Sequence, residues 1–264
     1  MDAELLRLQN ELAAVQVAPV HADELHRITA PDHFQNRIIQ VRQATAHLQQ
    51  LDQAQRETLA FVSHDIRVPL ASAAAQIKQD LGEHHSAYLQ LSRALAWTED
   101  YLQTSRAQIL HKEDFVEMDV VALLHQVADE IYPLPEAKGV HLLIDVPFDP
   151  VWTQGNFDTL FRAVINLMAN ALKFSPPDGQ IELSGHLQGE QLHIAITDHG
   201  PGIAQVDIDR LFKRFSRLDQ TENQSHQGVG LGLYFVQTTV QKHRGVLQVE
   251  SIKGRTTFRI VLTL

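Results

Sequence analysis

Glycine is the feature that most restricts how this chain folds. Gly82 is the only glycine before residue 110, and the rest of the 13 fall from Gly139 onward. Glycine costs a helix interior about 1 kcal/mol relative to alanine, and proline more. The first 110 residues also contain only Pro19, Pro31 and Pro69, so they read as helix. The glycine-bearing remainder alternates strand-like and helix-like segments. One chain therefore holds two architectures in succession.

Within the helical half, Leu5, Leu8, Leu12 and Val15 repeat at a/d spacing, and the stretch 17–31 breaks the pattern. A second pattern runs from about Asp32 through Ile38, Val41, Thr45, Leu48, Leu59, Val62 and Ile66 to Leu81. At 1.5 Å per residue this is a helix on the order of 75 Å long. Pro69 lies inside it and is expected to bend it. Gly82 is placed to end it. A third pattern, Tyr88, Leu91, Leu95, Thr98, Leu102, Ser105 and Ile109, keeps a 3-4 alternation. Two long helices with a short glycine-containing loop make an antiparallel hairpin. Such a hairpin leaves its apolar seam exposed unless a second copy completes a four-helix bundle.

The second half carries strand patterns at 141–146, 180–187, 191–198, 246–250 and 256–264. Helical patterns lie at 120–131, 156–174 and 232–242. The expected fold class is an all-α helical hairpin, a four-helix bundle as a dimer, followed by an α+β two-layer sandwich with a mixed sheet.

Composition removes several function classes. Lys and Arg total 22 against 32 Asp and Glu, a net charge of −10. Broad electrostatic binding to nucleic acid or to anionic membrane is therefore not expected. The chain has no cysteine, which excludes disulfides, thiolate zinc sites and a cysteine nucleophile. No apolar run approaches the roughly 18 residues that would span a bilayer. A cytoplasmic chain is expected, with any membrane-embedded sensor part lying upstream or in a separate protein.

Two constellations carry chemistry. The first is Phe61-Val62-Ser63-His64-Asp65-Ile66-Arg67-Val68-Pro69-Leu70. With Leu59 at a and Val62 at d, His64 falls at f, the position farthest from the seam. A neutral imidazole is a competent nucleophile, and the adjacent carboxylate can take its Nδ1 proton. On position alone a solvated surface histidine is the favoured reading of His64, and the second half of the chain changes that.

The second constellation has four parts in order. Asn166, Asn170 and Lys173 stand at i, i+4 and i+7 and share one helix face, followed by Phe174. Two amides and an ammonium suit a hydrated Mg²⁺ and phosphate oxygens. Asp198-His199-Gly200-Pro201-Gly202 follows an alternating strand and offers an acceptor to an exocyclic amine. Leu211-Phe212-Lys213-Arg214-Phe215-Ser216-Arg217 joins aromatic and basic groups. Gly228-Val229-Gly230-Leu231-Gly232 opens a helix, where backbone amides cradle phosphate. The polar stretch 218–227 between the last two parts has the character of a mobile lid. Each part alone is weak; their order is specific.

Together these residues resemble the transmitter core of a two-component sensor histidine kinase over about residues 34–264. Residues 63–70 resemble the H box of a HisKA-type dimerisation and phosphotransfer domain. The four later parts resemble the N, G1, F and G2 boxes of the GHKL, or Bergerat, ATP-binding fold. The resemblance implies a division into 1–31 (N-terminal helical or linker segment), 32–111 (hairpin), 112–118 (linker) and 119–264 (ATP-binding domain). It implies a homodimeric ATP:protein-histidine kinase that passes its phosphoryl group to the receiver domain of a response regulator.

By the same resemblance His64 is the phosphoacceptor, and Asp65 its base or orienting partner. Asn170 coordinates Mg²⁺ with Asn166 close by, Lys173 touches phosphate and Phe174 sits by the nucleotide. Asp198 binds the adenine amine, with Gly200 and Gly202 shaping the pocket. Arg214 or Arg217 stabilises the transferred group. Gly228, Gly230, Leu231 and Gly232 flank the triphosphate.

The sequence departs from that pattern at Val68, where the family usually has Thr or Asn, so weak phosphatase activity is expected. Asn156 replaces a common Asp after Gly155. Gyrase-like hydrolases carry Glu where Asn166 stands, and an amide cannot take the proton of an attacking water, so transfer is favoured over hydrolysis. The remaining alternative is a non-catalytic docking scaffold.

Overall fold

A computed structural model describes residues 31–61, 66–147, 149–216 and 230–264. The chain divides into two units, Met1–Gln55 and Arg56–Leu264. The first unit is described from Pro31, as the greater part of helix α1 (Pro31–Phe61). Ile38, Val41, Leu48 and Leu51 of this stretch are exposed, and Thr45 Oγ1 donates to the Val41 carbonyl at 2.8 Å.

In the second unit, helices α2 (Arg67–Leu81) and α3 (Ser86–Gln108) form a pair. Gly82 ends α2 with φ +88° and donates its N–H to Lys78. His85 caps α3, its ring nitrogen accepting from the Ala87 N–H at 3.3 Å. Arg67 joins the two helices through Glu99 at 2.8 Å. Arg56 reaches the Ile109 carbonyl at 3.0 Å. Ile66, just before α2, is also helical. The bend expected at Pro69 turns on residues 62–65, which lie outside the described residues, as His64 and Asp65 therefore do.

Beyond a single 3₁₀ turn at Lys112–Asp114 come β1 (Val116–Asp119), α4 (Val120–Ile131), α5 (Pro133–Lys138), β2 (His141–Asp145) and β3 (Trp152–Gly155). They are followed by α6 (Phe157–Phe174), β4 (Gln180–Gln188), β5 (Gln191–Asp198), α7 (Gln205–Leu211), α8 (Gly232–Lys242), β6 (Val246–Ile252) and β7 (Arg255–Thr263). The main sheet has the order β2-β4-β5-β7-β6. β2 runs parallel to β4 and the other pairs are antiparallel. β1 and β3 form a separate antiparallel ribbon.

Helices α4, α6 and α8 cover one face of the sheet. Their apolar stripes are fully buried there, including Leu123, Leu124, Leu160, Leu167, Met168, Val236 and Val240. Ile181, Leu183, Leu192, Ile194, Ile196 and Ile260 meet them from the strands. Alternation along each strand sends these residues inward and Glu182, Ser184 and His193 outward. The expected two-layer sandwich with a mixed sheet is what forms. The β1–β3 ribbon, α5 and α7 were not anticipated. Each is short, and the ribbon draws its stability from Met118, which is 4% exposed in the common core.

Candidate nucleotide-binding site

Helix α6 begins at Asn156, whose side-chain oxygen accepts from the Thr159 N–H at 3.1 Å. The same amide donates to the Asp114 carbonyl at 3.2 Å. An aspartate could cap the helix but could not make that second bond, which accounts for Asn at this position. Leu160, Ala163, Val164, Leu167, Met168 and Ala171 face the core. The 3.6-residue period then turns Asn166 and Asn170, both half-buried, and the exposed Lys173 to another face. Phe174 is 44% exposed at the helix end, with the Lys173 ammonium 5.1 Å from its ring centroid.

Strand β5 carries Asp198 to its end, where the carboxyl group is buried, with 5% of the residue exposed. Its Oδ1 accepts from the Gly200 N–H at 2.9 Å. Burial pushes this carboxyl group above the ordinary aspartate range, against the opposing pull of the Gly200 N–H and His199.

The parts meet through close backbone approaches. A methyl group on Gly200 would stand 2.8 Å from the Phe174 carbonyl, so the end of α6 rests on the turn after β5. One on Gly202 would collide with the Ile252 carbonyl. Gly230, at φ +77°, presses on the Ser216 carbonyl. A methyl on Gly232 would lie 3.2 Å from Asn166 Oδ1. The turn of Asp198 and Gly200 thus meets the end of α6 at Phe174, and the start of α8 at Gly232 meets the same helix at Asn166; Asn170 and Lys173 lie on that helix between them. Arg214 stacks over the Tyr234 ring of α8, 4.9 Å from its centroid. Arg217, Gly228 and the stretch 218–227 lie outside the described residues. The N-terminus of α8, which has no side-chain cap, two amides and one buried acceptor can together hold phosphates and a base with an exocyclic amine.

The sequence reading missed a second face of α3. Asp100, Gln103 and Thr104 border a space with Asn166, Leu231, Gly232 and Phe235 that is too small for a water molecule. Gln108 donates to the Tyr234 hydroxyl at 2.8 Å, and Lys242 to the Leu110 carbonyl at 3.0 Å. Thr104 and Ala107 are buried although neither falls on the 3-4 seam. Two buried off-seam residues mark a helix packed on two sides, a pattern that a single periodicity hides. Burial beside Glu99 raises the Asp100 carboxyl group, so an acidic side chain borders the start of α8.

His243 was also missed. It is 8% exposed, accepts from the Asn156 N–H at 2.9 Å through Nε2, and faces the Thr239 carbonyl at 2.8 Å through Nδ1. Its ring stacks on Phe115 with centroids 4.6 Å apart. Two opposed partners require the neutral Nδ1–H tautomer, and burial lowers its pKa.

Residues 155–264 match the family model described as histidine kinase-, DNA gyrase B- and HSP90-like ATPase. The adaptive-response sensory kinase SasA of Synechococcus sp. (strain JA-3-3Ab) is 29% identical over 83% of this chain and 61% of its own length. Sensor histidine kinase RppB of Synechocystis sp. is 30% identical over 77% of this chain and 47% of its own. The chain spans about half the length of the curated relatives that it matches. Full-length ShkA, solved in complex with AMPPNP, shares the fold with a TM-score of 0.62 at 24% identity, over 78% of this chain and 45% of that one. The ATPase-family match over residues 155–264 and the sensor-histidine-kinase relatives agree in supporting a histidine kinase transmitter core.

Proposed function

We propose that this core binds Mg-ATP in the domain 119–264, phosphorylates His64 and passes the phosphoryl group to an aspartate of a response-regulator receiver domain. The observation that carries the reading is that the motifs touch in pairs: Gly200 meets Phe174 at the end of α6, Gly232 meets Asn166 further back on the same helix, and Gly230 meets Ser216. Asp198 takes the adenine amine, Gly200 and Gly202 leave room for the base, and Phe174 flanks it. Lys173 and the amides of Gly228, Gly230, Leu231 and Gly232 hold the phosphates. Asn166 and Asn170 fit Mg²⁺ through their amide oxygens; Asn166 Nδ2 is bound to the Arg162 carbonyl at 3.1 Å, which leaves Oδ1 as its acceptor. No carboxylate joins these two amides in the reading, so the ion arrives with the nucleotide, where it neutralises charge at the phosphates.

His64 Nε2 attacks the γ-phosphorus as the bond to the β-phosphate oxygen breaks and ADP leaves. Asp65 orients the ring or takes the Nδ1 proton. The receiver aspartate then attacks the same phosphorus and the P–N bond breaks. Arg214 or Arg217 neutralises the group in transit, and for Arg214 this means leaving Tyr234. The hairpin 32–111 pairs with a second copy, and its exposed seam residues support that arrangement. In this proposal the contact of α3 with α8 loosens so that ATP and His64, which belong to different domains, can meet. A state with ATP already in line with His64 and that contact intact would count against this gating.

The decisive experiment is autophosphorylation with γ-labelled ATP and Mg²⁺. Acid-labile, alkali-stable label is expected and should vanish in His64→Ala. Absence of both label and ATP binding would replace the kinase reading with a docking scaffold. Val68, 51% exposed, has no polar group to place a water, so phosphatase activity is expected to be weak. Val68→Thr should raise it, and no increase would sink that part. Among the described residues no helix is long and apolar enough to cross a membrane; we place the core in the cytoplasm, with the sensing part upstream or separate.

A further inference from the structure

Helix α6 ends at the nucleotide site, and its last carbonyls face the usual problem of a helix C-terminus: no backbone N–H follows to bond them. The Ala171 carbonyl takes the Ser175 N–H at 2.9 Å. The next carbonyls converge on one side chain from elsewhere. Lys138, at the end of α5, donates to Leu172 at 2.6 Å, Lys173 at 3.2 Å and Ser175 at 2.7 Å. An ammonium has three N–H donors, and three carbonyls receive them. It also places a positive charge at the negative end of the helix dipole. The carbonyl skipped in this set, that of Phe174, is the one resting on Gly200 beside Asp198. The ammonium therefore grips one side of the segment 172–175 while the Phe174 carbonyl of that segment meets Gly200, next to the proposed adenine acceptor Asp198.

We infer that Lys138 is a positioning residue for nucleotide binding, which fixes the end of α6 so that Lys173, Phe174 and the Asp198–Gly200 turn keep their mutual register. The inference rests on the nucleotide reading above. It assigns Lys138 no contact with the nucleotide. Three carbonyls around a small cation also make a cavity that ammonium ion can fill once the side chain is removed.

The test uses the full chain and ADP. Lys138→Ala is expected to weaken ADP binding by about tenfold or more, because small displacements of positioning groups are costly. Ammonium chloride should restore most of this loss in Lys138→Ala, whereas tetramethylammonium chloride at equal ionic strength should not. Neither salt should help Lys138→Met, whose side chain fills the cavity without donors. That selective rescue separates the clamp from a general effect on stability. If Lys138→Ala fails to fold, Lys138→Met carries the test, with the same loss of ADP affinity expected. Wild-type binding followed by unchanged binding in the variants, or equal rescue by both salts, overturns this inference alone. A wild-type chain that binds no ADP overturns the nucleotide reading and this inference with it.

Discussion

The hairpin and the nucleotide domain bury apolar surface in different ways. From Met118 to Leu262 the domain has a continuous core, with Leu123, Leu160, Leu167, Leu183, Ile194 and Ile260 at 0% exposure. Along α2 and the first half of α3, Ala74 is the only buried hydrophobic residue among those described, while Val68, Leu81, Leu89 and Trp97 are exposed. Two layers of helix on sheet can close a core within one chain. A helix pair has two apolar stripes and only one mutual contact, so part of each stripe stays open. The domain is complete in itself, whereas the hairpin needs something further: a second copy, in the reading proposed above. Lower on α3 the helix changes character. Leu102, Thr104, Ser105 and Ala107 are buried, and part of that burial comes from α8.

This contrast can be broken by paired substitutions. Leu167→Ala should destabilise the domain by about 2–5 kcal/mol through the cavity it leaves, read by denaturant unfolding. Trp97→Ala should change that transition by less than about 0.5 kcal/mol while shifting the monomer–dimer equilibrium in sedimentation toward monomer. Equal effects of the two on unfolding would erase the distinction. Next in size, Asp198→Ala should weaken ADP binding by about a hundredfold, since the buried acceptor is lost, and leave the hairpin's association unchanged. Binding at the wild-type level would remove Asp198 from the base pocket.

A smaller effect sharpens the boundary between the two regions. Asn156→Asp keeps the cap on α6 but loses the bond to Asp114, and should cost about 1 kcal/mol. The gentlest lever is pH. His243 is held neutral, with its pKa lowered by burial. Below about pH 6.5 the unfolded chain binds a proton that the folded chain refuses. Stability should therefore be full above that pH and fall as pH drops toward the folded-state value. His243→Gln should flatten this part of the stability–pH profile, and an unchanged slope would assign it to other groups.

Much of this was legible in the sequence because it is written in local spacing. The glycine distribution separated helical from mixed architecture. The i, i+4, i+7 spacing put Asn166, Asn170 and Lys173 on one face of a helix that does form. Strand alternation carried Asp198 to the end of β5, and Gly200, Gly202 and Gly230 stand where backbones approach too closely for a side chain. The ribbon β1–β3 was not legible, since four-residue strands carry little periodicity and their pairing spans distant segments.

What the sequence by itself determined is the set of elements and the chemical groups each presents, because periodicity, capping and glycine act between near neighbours. The tertiary structure alone decided that α3 lies against α8, that His243 accepts from Asn156, and that the Lys138 ammonium closes the end of α6. Those contacts link residues far apart in the chain, and only the packing of the layers brings a donor on one element to an acceptor on another.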